Sequence, residues 1–208
     1  MSVVLNVEPQ WISPYVFACF VTLKEKGIAF ETSELDASKA QTREGGYLAQ
    51  TITGRVPSLV HDGFAIAESS AIIEYLDEAF PAPHVMPRDV RERARCRQLM
   101  SWMRSDETAP IRAERPTSTM FFARAERPLS ADAAAAAKKL GDVASRLVRP
   151  GRDHIFDAWC IADSELAFLL HRLVRNGDPL PEPVRAWAAA QWKRPSVRAF
   201  VERERRSA

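Results

Sequence analysis

From residue 88 onward every apolar pattern in this chain is helical, whereas the stretch before it alternates strand and helix. A chain patterned this way reads as a mixed α/β unit followed by an all-helical one. Charge changes at the same place. Residues 1–87 carry 5 basic and 11 acidic side chains, and the remainder carries 24 and 16. Pro81, Pro83 and Pro87 break regular structure between the two. The boundaries that follow are 1–80 for the first unit, 81–87 for a linker and 88–208 for the second.

A length of 208 residues fits two small domains, at about 150 residues per domain. With 46% apolar and 27% charged residues, the composition excludes collagen, coiled coil and disorder for the bulk of the chain. The net charge of +2 is too small to imply nucleic acid. The basic second half raises the question of an RNA-associated module, but its bases alternate with acids and no aromatic–basic stacking motif is present. Cys19, Cys96 and Cys160 are scattered, with no CxxC pair and no zinc spacing, which fits a reduced compartment. No basic n-region opens the chain and no apolar run approaches 18 residues, so a cytoplasmic, non-membrane protein is expected.

In the first unit, Val3 to Asn6 reads as a strand. Ser13-Pro14 opens a helix carrying Val16, Cys19, Phe20 and Leu23, which Gly27 ends. Ile28 to Ser33 reads as a second strand. Residues 36–54 are polar and read as a loop with a weak helix. Val56 to Val60 and Phe64 to Ile66 form a hairpin about Asp62-Gly63, and a helix follows from Ser69. The second unit reads as helices over about 88–107, 130–148, 161–176, 182–192 and 195–205.

Four short segments invite chemistry. Ser13 faces free backbone N–H groups and the positive end of a helix dipole, where an anion such as a thiolate is stabilised; as plain structure it is a cap. Arg55-Val56-Pro57-Ser58 places a proline where a strand starts, either as an ordinary edge proline or as a cis bond that fixes local shape. Glu68 and Ser69 open a helix, so a carboxylate fits on Ser69 and the free N–H groups, and an ammonium on Glu68. That pair suits an amino-acid end group, or else it only caps an amphipathic helix. Asp163, three residues after Cys160, reads as the acidic half of a capping box.

Taken in order, these segments resemble the cytosolic glutathione transferases over essentially the whole chain. The chain is most similar to the YfcF-type bacterial members, on stretches such as Ser101-Trp102-Met103-Arg104-Ser105-Asp106 and Ile111-Arg112-Ala113-Glu114-Arg115-Pro116-Thr117. The resemblance implies a thioredoxin-like α/β N-terminal domain and an all-α C-terminal domain. It implies that Ser13 points its hydroxyl at the glutathione sulfur, and that Val56, before a cis Pro57, pairs its backbone with the cysteinyl unit. Glu68 and Ser69 would hold the γ-glutamyl end, and Lys39 or Arg55 the glycyl carboxylate. The electrophile would lie between the domains against Trp102 to Thr108, where Arg104, Arg112 and Arg115 either face that cleft or are ordinary solvated arginines. Glutathione is then the co-substrate, a small electrophile or peroxide the second substrate, no metal is needed, and a homodimer is expected. His61 and His84 read as surface residues. The chain departs from the family at Cys160, where Ser or Thr is usual, and from the related glutaredoxins, which carry two cysteines where this chain has Ser13 and Val16. Dithiol exchange at that site is therefore not expected. A non-catalytic glutathione-binding or stress-response protein of the same fold is the alternative.

Overall fold

The computed structural model describes residues 1–36, 39, 41–43, 45–149 and 151–205. The chain divides into two compact units, Met1–Val85 with the segment from Arg198 on, and Met86–Val197. Nothing in the patterning of 195–205 separates it from the helices before it. The structure nevertheless returns residues from Arg198 to the first unit, where Phe200 packs 5.3 Å from the ring of Phe17 and 5.9 Å from that of Trp11. Burial of that aromatic ring decides the placement.

The first unit runs β1 (Val3–Val7), α1 (Pro14–Glu25), β2 (Glu31–Glu34), α2 (Gly45–Gln50), β3 (Ser58–His61), β4 (Phe64–Ala67) and α3 (Ser69–Ala79). The strands form one sheet in the order β2-β1-β3-β4, with β1 and β2 parallel and the other pairs antiparallel. This is a thioredoxin-like arrangement. In α1 the apolar residues Val16, Phe17, Phe20 and Leu23 are all buried in the core of this unit. Asp62 and Gly63 both have positive φ, as a two-residue turn with the hand of the strands requires. The second strand begins three residues later than its sequence suggests, because Phe30 packs edge-on to Phe20 instead of pairing. His61 is not a surface residue: its Nδ1 lies 2.7 Å from the Tyr75 hydroxyl, and its ring sits against Phe80. His84 is exposed.

The second unit holds α4 (Val90–Met103), α5 (Ala109–Glu114), α6 (Ser118–Phe121), α7 (Ala131–Leu147), α8 (Ile161–Asn176) and α9 (Glu182–Trp192); α10 (Pro195–Val201) leads back to the first. The expected helix over 88–107 stops at Met103. The short α5 and α6 follow, opened and interrupted by Pro110 and Pro116, which cannot supply interior helical N–H groups. The core of this unit lies on α8, with Leu166, Leu170 and Leu173 fully buried. The Asp163 carboxylate accepts from Cys160 N at 2.9 Å and from Ile155 N at 2.8 Å, so it closes the start of α8 and pins the preceding loop. Cys160 turns its sulfur toward Cys96, 3.8 Å away. That neighbour and burial push the Cys160 thiol up, which makes it inert as a nucleophile.

His171 on α8 is buried, stacks on Trp192 at 3.7 Å, and places Nδ1 2.8 Å from Ala167 O. Burial lowers its pKa from 6.5 to about 4. The unfolded chain therefore binds a proton near pH 6.5 that the folded chain refuses until about pH 4. Stability is full above that window and falls as pH drops through it, by up to about 1.4 kcal/mol per pH unit, roughly 3 kcal/mol in all. Denaturant unfolding of the wild type and of His171→Phe at pH 7, 5.5 and 4.5 checks this. The slope between those values should flatten in the variant, and an unchanged slope places the titration elsewhere.

Candidate functional site

The sheet register gathers three separate chain segments. Asn6 of β1 lies opposite Ser58 of β3, and Ser58 lies opposite Ala67 of β4. Neighbouring strands are about 4.8 Å apart. Residues 8–13 leave β1 beyond Asn6, residues 55–57 enter β3 before Ser58, and Glu68-Ser69 leave β4 after Ala67. The antiparallel pairings put all three at one end of the sheet. Asn6 Nδ2 donates to Ser58 Oγ at 2.8 Å, so the first two are tied by side chains as well.

Ser13 is the N-cap of α1, extended at φ −65° and ψ 126°. Its Oγ accepts from Tyr15 N and Val16 N, each at 3.3 Å. A hydroxyl that accepts from backbone keeps its own hydrogen to donate. Capping and donation to an anion are thus compatible in one side chain.

The Val56-Pro57 peptide is cis. Its flank is held by Tyr47 of α2, whose hydroxyl donates to Arg55 O at 2.8 Å and lies 3.0 Å from Ser58 Oγ. Burial raises the Tyr47 pKa, so the phenol stays a neutral donor at ordinary pH. Glu68 has φ +70°, a region that a non-glycine side chain enters only under constraint, and its carboxylate is exposed. Strained backbone of this kind tends to mark a functional turn. Ser69, the next residue, is buried. Thr53 Oγ1 lies 3.5 Å from Glu68 Oε1.

Lys39 is exposed and forms an ion pair with Asp36 at 3.6 Å, whereas Arg55 is exposed beside the cis bond. On the helical unit the four expected residues each have their own polar partner. Trp102 donates its indole N–H to Glu107 and lines a cavity of about 580 Å³ with Leu99, Val143 and Ile155. Arg104 is bonded to Glu165, and Arg112 donates to Thr108 Oγ1 at 3.0 Å. Arg115 requires a correction. It is not an ordinary solvated arginine: it is 3% exposed and makes a two-pronged pair with Asp178, at 2.7 and 2.8 Å. A guanidinium so enclosed needs its carboxylate, because an unpaired buried charge is costly.

Sequence reasoning missed Tyr47 and Glu8. Tyr47 sits in a weakly patterned loop, and only the fold shows that it braces residues 55–58. Glu8 accepts from Ser13 N at 2.6 Å and from Ile12 N at 2.5 Å. Among the described residues no group of three His, Cys, Asp or Glu side chains is placed to hold a metal ion, and no helix is long and apolar enough to cross a membrane.

Comparison with known proteins gives a consistent picture. The model of the glutathione S-transferase N-terminal domain matches residues 12–79, and that of the C-terminal domain matches residues 89–205. A glutathione transferase homologue from Burkholderia, solved with bound glutathione, is 40% identical, covers 97% of both chains and superposes with a TM-score of 0.80. A glutathione S-transferase from Rhodospirillum rubrum is 24% identical with a TM-score of 0.76, covers 97% of this chain and 93% of that one, and so shows the fold. Among curated proteins, glutathione S-transferase F10 of Arabidopsis thaliana is 35% identical over 91 residues, which is 43% of this chain and 41% of that protein. A probable glutathione S-transferase of Nicotiana tabacum is 36% identical over 89 residues, 42% of this chain and 38% of that protein. The chain thus spans about two fifths of the length of the curated relatives it matches.

Proposed function

The chain belongs to the glutathione S-transferase family, and from that premise we propose that it binds glutathione at the end of its sheet and activates the thiol for attack on small electrophiles, peroxides among them. The observation that carries this reading is the Ser13 hydroxyl, fixed by two backbone N–H groups at the start of α1 with its hydrogen left to donate. A free thiol has a pKa of about 8.5 and is only a few per cent ionised at pH 7. A donated hydrogen bond and the positive end of a helix both favour the thiolate.

In this reading Val56, ahead of the cis Pro57, pairs its backbone with the cysteinyl unit. Glu68 holds the γ-glutamyl ammonium. Ser69 and the first N–H groups of α3 hold its carboxylate. Arg55 takes the glycyl carboxylate in preference to Lys39, which already has Asp36. The thiolate sulfur attacks an electrophilic carbon and expels the leaving group, or attacks a peroxide oxygen, breaking the O–O bond to release the alcohol and form glutathione sulfenic acid, which a second glutathione converts to the disulfide and water. Ser13 forms no covalent bond. Trp102, Arg104 and Arg112 remain the candidates for the electrophile side. The long likeness around residues 101–106 and 111–117 supports a place among the YfcF-type bacterial members, and the family's habit supports a cytoplasmic homodimer without a catalytic metal.

Turnover with glutathione and a panel of aryl halides, epoxides and hydroperoxides tests the function. Binding without turnover of any of them would favour the non-catalytic alternative. The site assignment has its own test. Glu68→Gln and Ser69→Ala should each weaken glutathione by about 1.5–3 kcal/mol, the range for hydrogen bonds to charged groups. Calorimetry that finds both affinities unchanged would remove this pair from the site.

A further inference from the structure

The bend between β1 and α1 is strained, and its backbone N–H and C=O groups are held by the Glu8 carboxylate within it and by Arg205 from outside. Trp11 has φ +53°, unusual for a bulky residue. Its N–H reaches Glu8 O at 3.2 Å, and its indole N–H reaches Glu34 Oε1 at 3.2 Å. The next two N–H groups, of Ile12 and Ser13, both donate to one oxygen, Glu8 Oε1. Trp11 O accepts from Arg205 Nε at 3.0 Å, and the Arg203 guanidinium lies 3.9 Å over the Trp11 ring. Arg205 is itself fastened to Phe200 O at 2.7 Å and Val201 O at 3.0 Å.

From this arrangement we infer that Glu8 and Arg205 are positioning residues for Ser13: they hold the strained turn that aims its hydroxyl, one gripping the N–H groups of residues 12 and 13 and the other the carbonyl of Trp11. The inference rests on the reading of Ser13 as the thiol donor. Neither residue touches glutathione in this scheme. Both act by fixing a backbone whose own φ preference would relax it. The Glu8 carboxylate is mostly buried, which raises its pKa; the N–H groups of Ser13 and Ile12 that it accepts oppose that rise, and the Arg205 charge opposes it less. A carboxylate is retained behind the turn despite the cost of burying it, as expected where two N–H groups must be met by a single acceptor. Arg205 is drawn from the segment that returns from the helical unit, so the arrangement of the turn depends on residues far from it in sequence.

The experiment compares Glu8→Ala, Glu8→Gln, Arg205→Ala and Ser13→Ala in the full-length protein. Each is measured for kcat, for glutathione affinity by calorimetry, and for the pKa of bound glutathione by thiolate absorbance. Glu8→Ala should lower kcat about tenfold and raise the bound thiol pKa by about one unit, since small misplacements of a reacting group cost one to two decades of rate. Glutathione affinity should stay within about twofold, because residues 56, 68 and 69 are untouched. Glu8→Gln keeps a carbonyl acceptor and should recover most of both losses. Arg205→Ala should shift rate and thiol pKa in the same direction, and it decides the matter if Glu8→Ala does not fold. Unchanged kcat and thiol pKa in the folded variants overturn the proposal, as does a Gln variant no better than Ala, or a loss of affinity equal to the loss of rate. If Ser13→Ala is fully active, the reading of Ser13 fails. If Ser13→Ala is impaired while Glu8 and Arg205 are dispensable, only the positioning role fails.

Discussion

Ser13→Ala should lower turnover roughly ten- to hundredfold and leave glutathione bound. The hydroxyl contributes one hydrogen bond to a charged sulfur, about 1.5–3 kcal/mol, and each 1.4 kcal/mol is about a decade of rate. The bound thiol pKa should rise by about one to two units for the same reason. The start of α1 survives the change, since Ala at an N-cap weakens a helix only by about 1 kcal/mol. Affinity should hold because Val56, Glu68 and Ser69 keep their places. A variant with full activity would show that the sulfur is activated by another donor, with Tyr15, exposed at the second residue of α1, next in line.

Ser13→Cys separates activation from capping more sharply. A thiol at the N-terminus of α1 ionises readily. The variant should form a mixed disulfide with glutathione disulfide, releasing one glutathione, and should lose conjugation. A residue that serves only as a cap predicts neither change. Mass spectrometry of the variant after exposure to glutathione disulfide reads the outcome directly, as a mass gain of one glutathionyl group.

The parts of the fold legible in the sequence are those where local chemistry and period agree. Ser13-Pro14 marks a helix start by cap and fixed φ, and Asp62-Gly63 marks a hairpin by tolerance of positive φ. Glu68-Ser69 announces the start of α3, but the positive φ at Glu68 has no local signature, because it is imposed by the passage from β4 into the helix. Tyr47 and Glu8 were not legible as site residues. Tyr47 braces Arg55 and Ser58 across 8 and 11 residues, and nothing in the spacing shows that contact. Glu8 looks like a surface acid following a strand until the fold wraps residues 12 and 13 around it. The return of Phe200 to Trp11 is likewise a matter of tertiary burial, which pattern and propensity do not encode.

Asp178→Ala should be the most damaging single change to the helical unit, and its effect distinguishes structure from catalysis at Arg115. The Arg115–Asp178 pair is enclosed, with side chains 4% and 10% exposed, and bidentate. It joins the end of α5 to the end of α8, where Gly177, at φ +79°, turns the chain so that Asp178 N–H reaches Leu173 O at 3.0 Å. Arg172 fastens the same corner by donating to Arg115 O at 2.7 Å. Removing the carboxylate strands a buried guanidinium, which costs about 3–5 kcal/mol. At about 2–4 °C per kcal/mol for a protein of this size, melting should fall by roughly 10 °C. Replacing both partners by apolar residues, Arg115→Met with Asp178→Leu, should recover most of that loss, because the desolvation of two charges disappears with their attraction. Turnover per folded molecule should be unchanged in the single and the double variant. Should kcat fall in the double variant while melting is restored, Arg115 would return to the electrophile site, and the pair with Asp178 would have to open during the reaction.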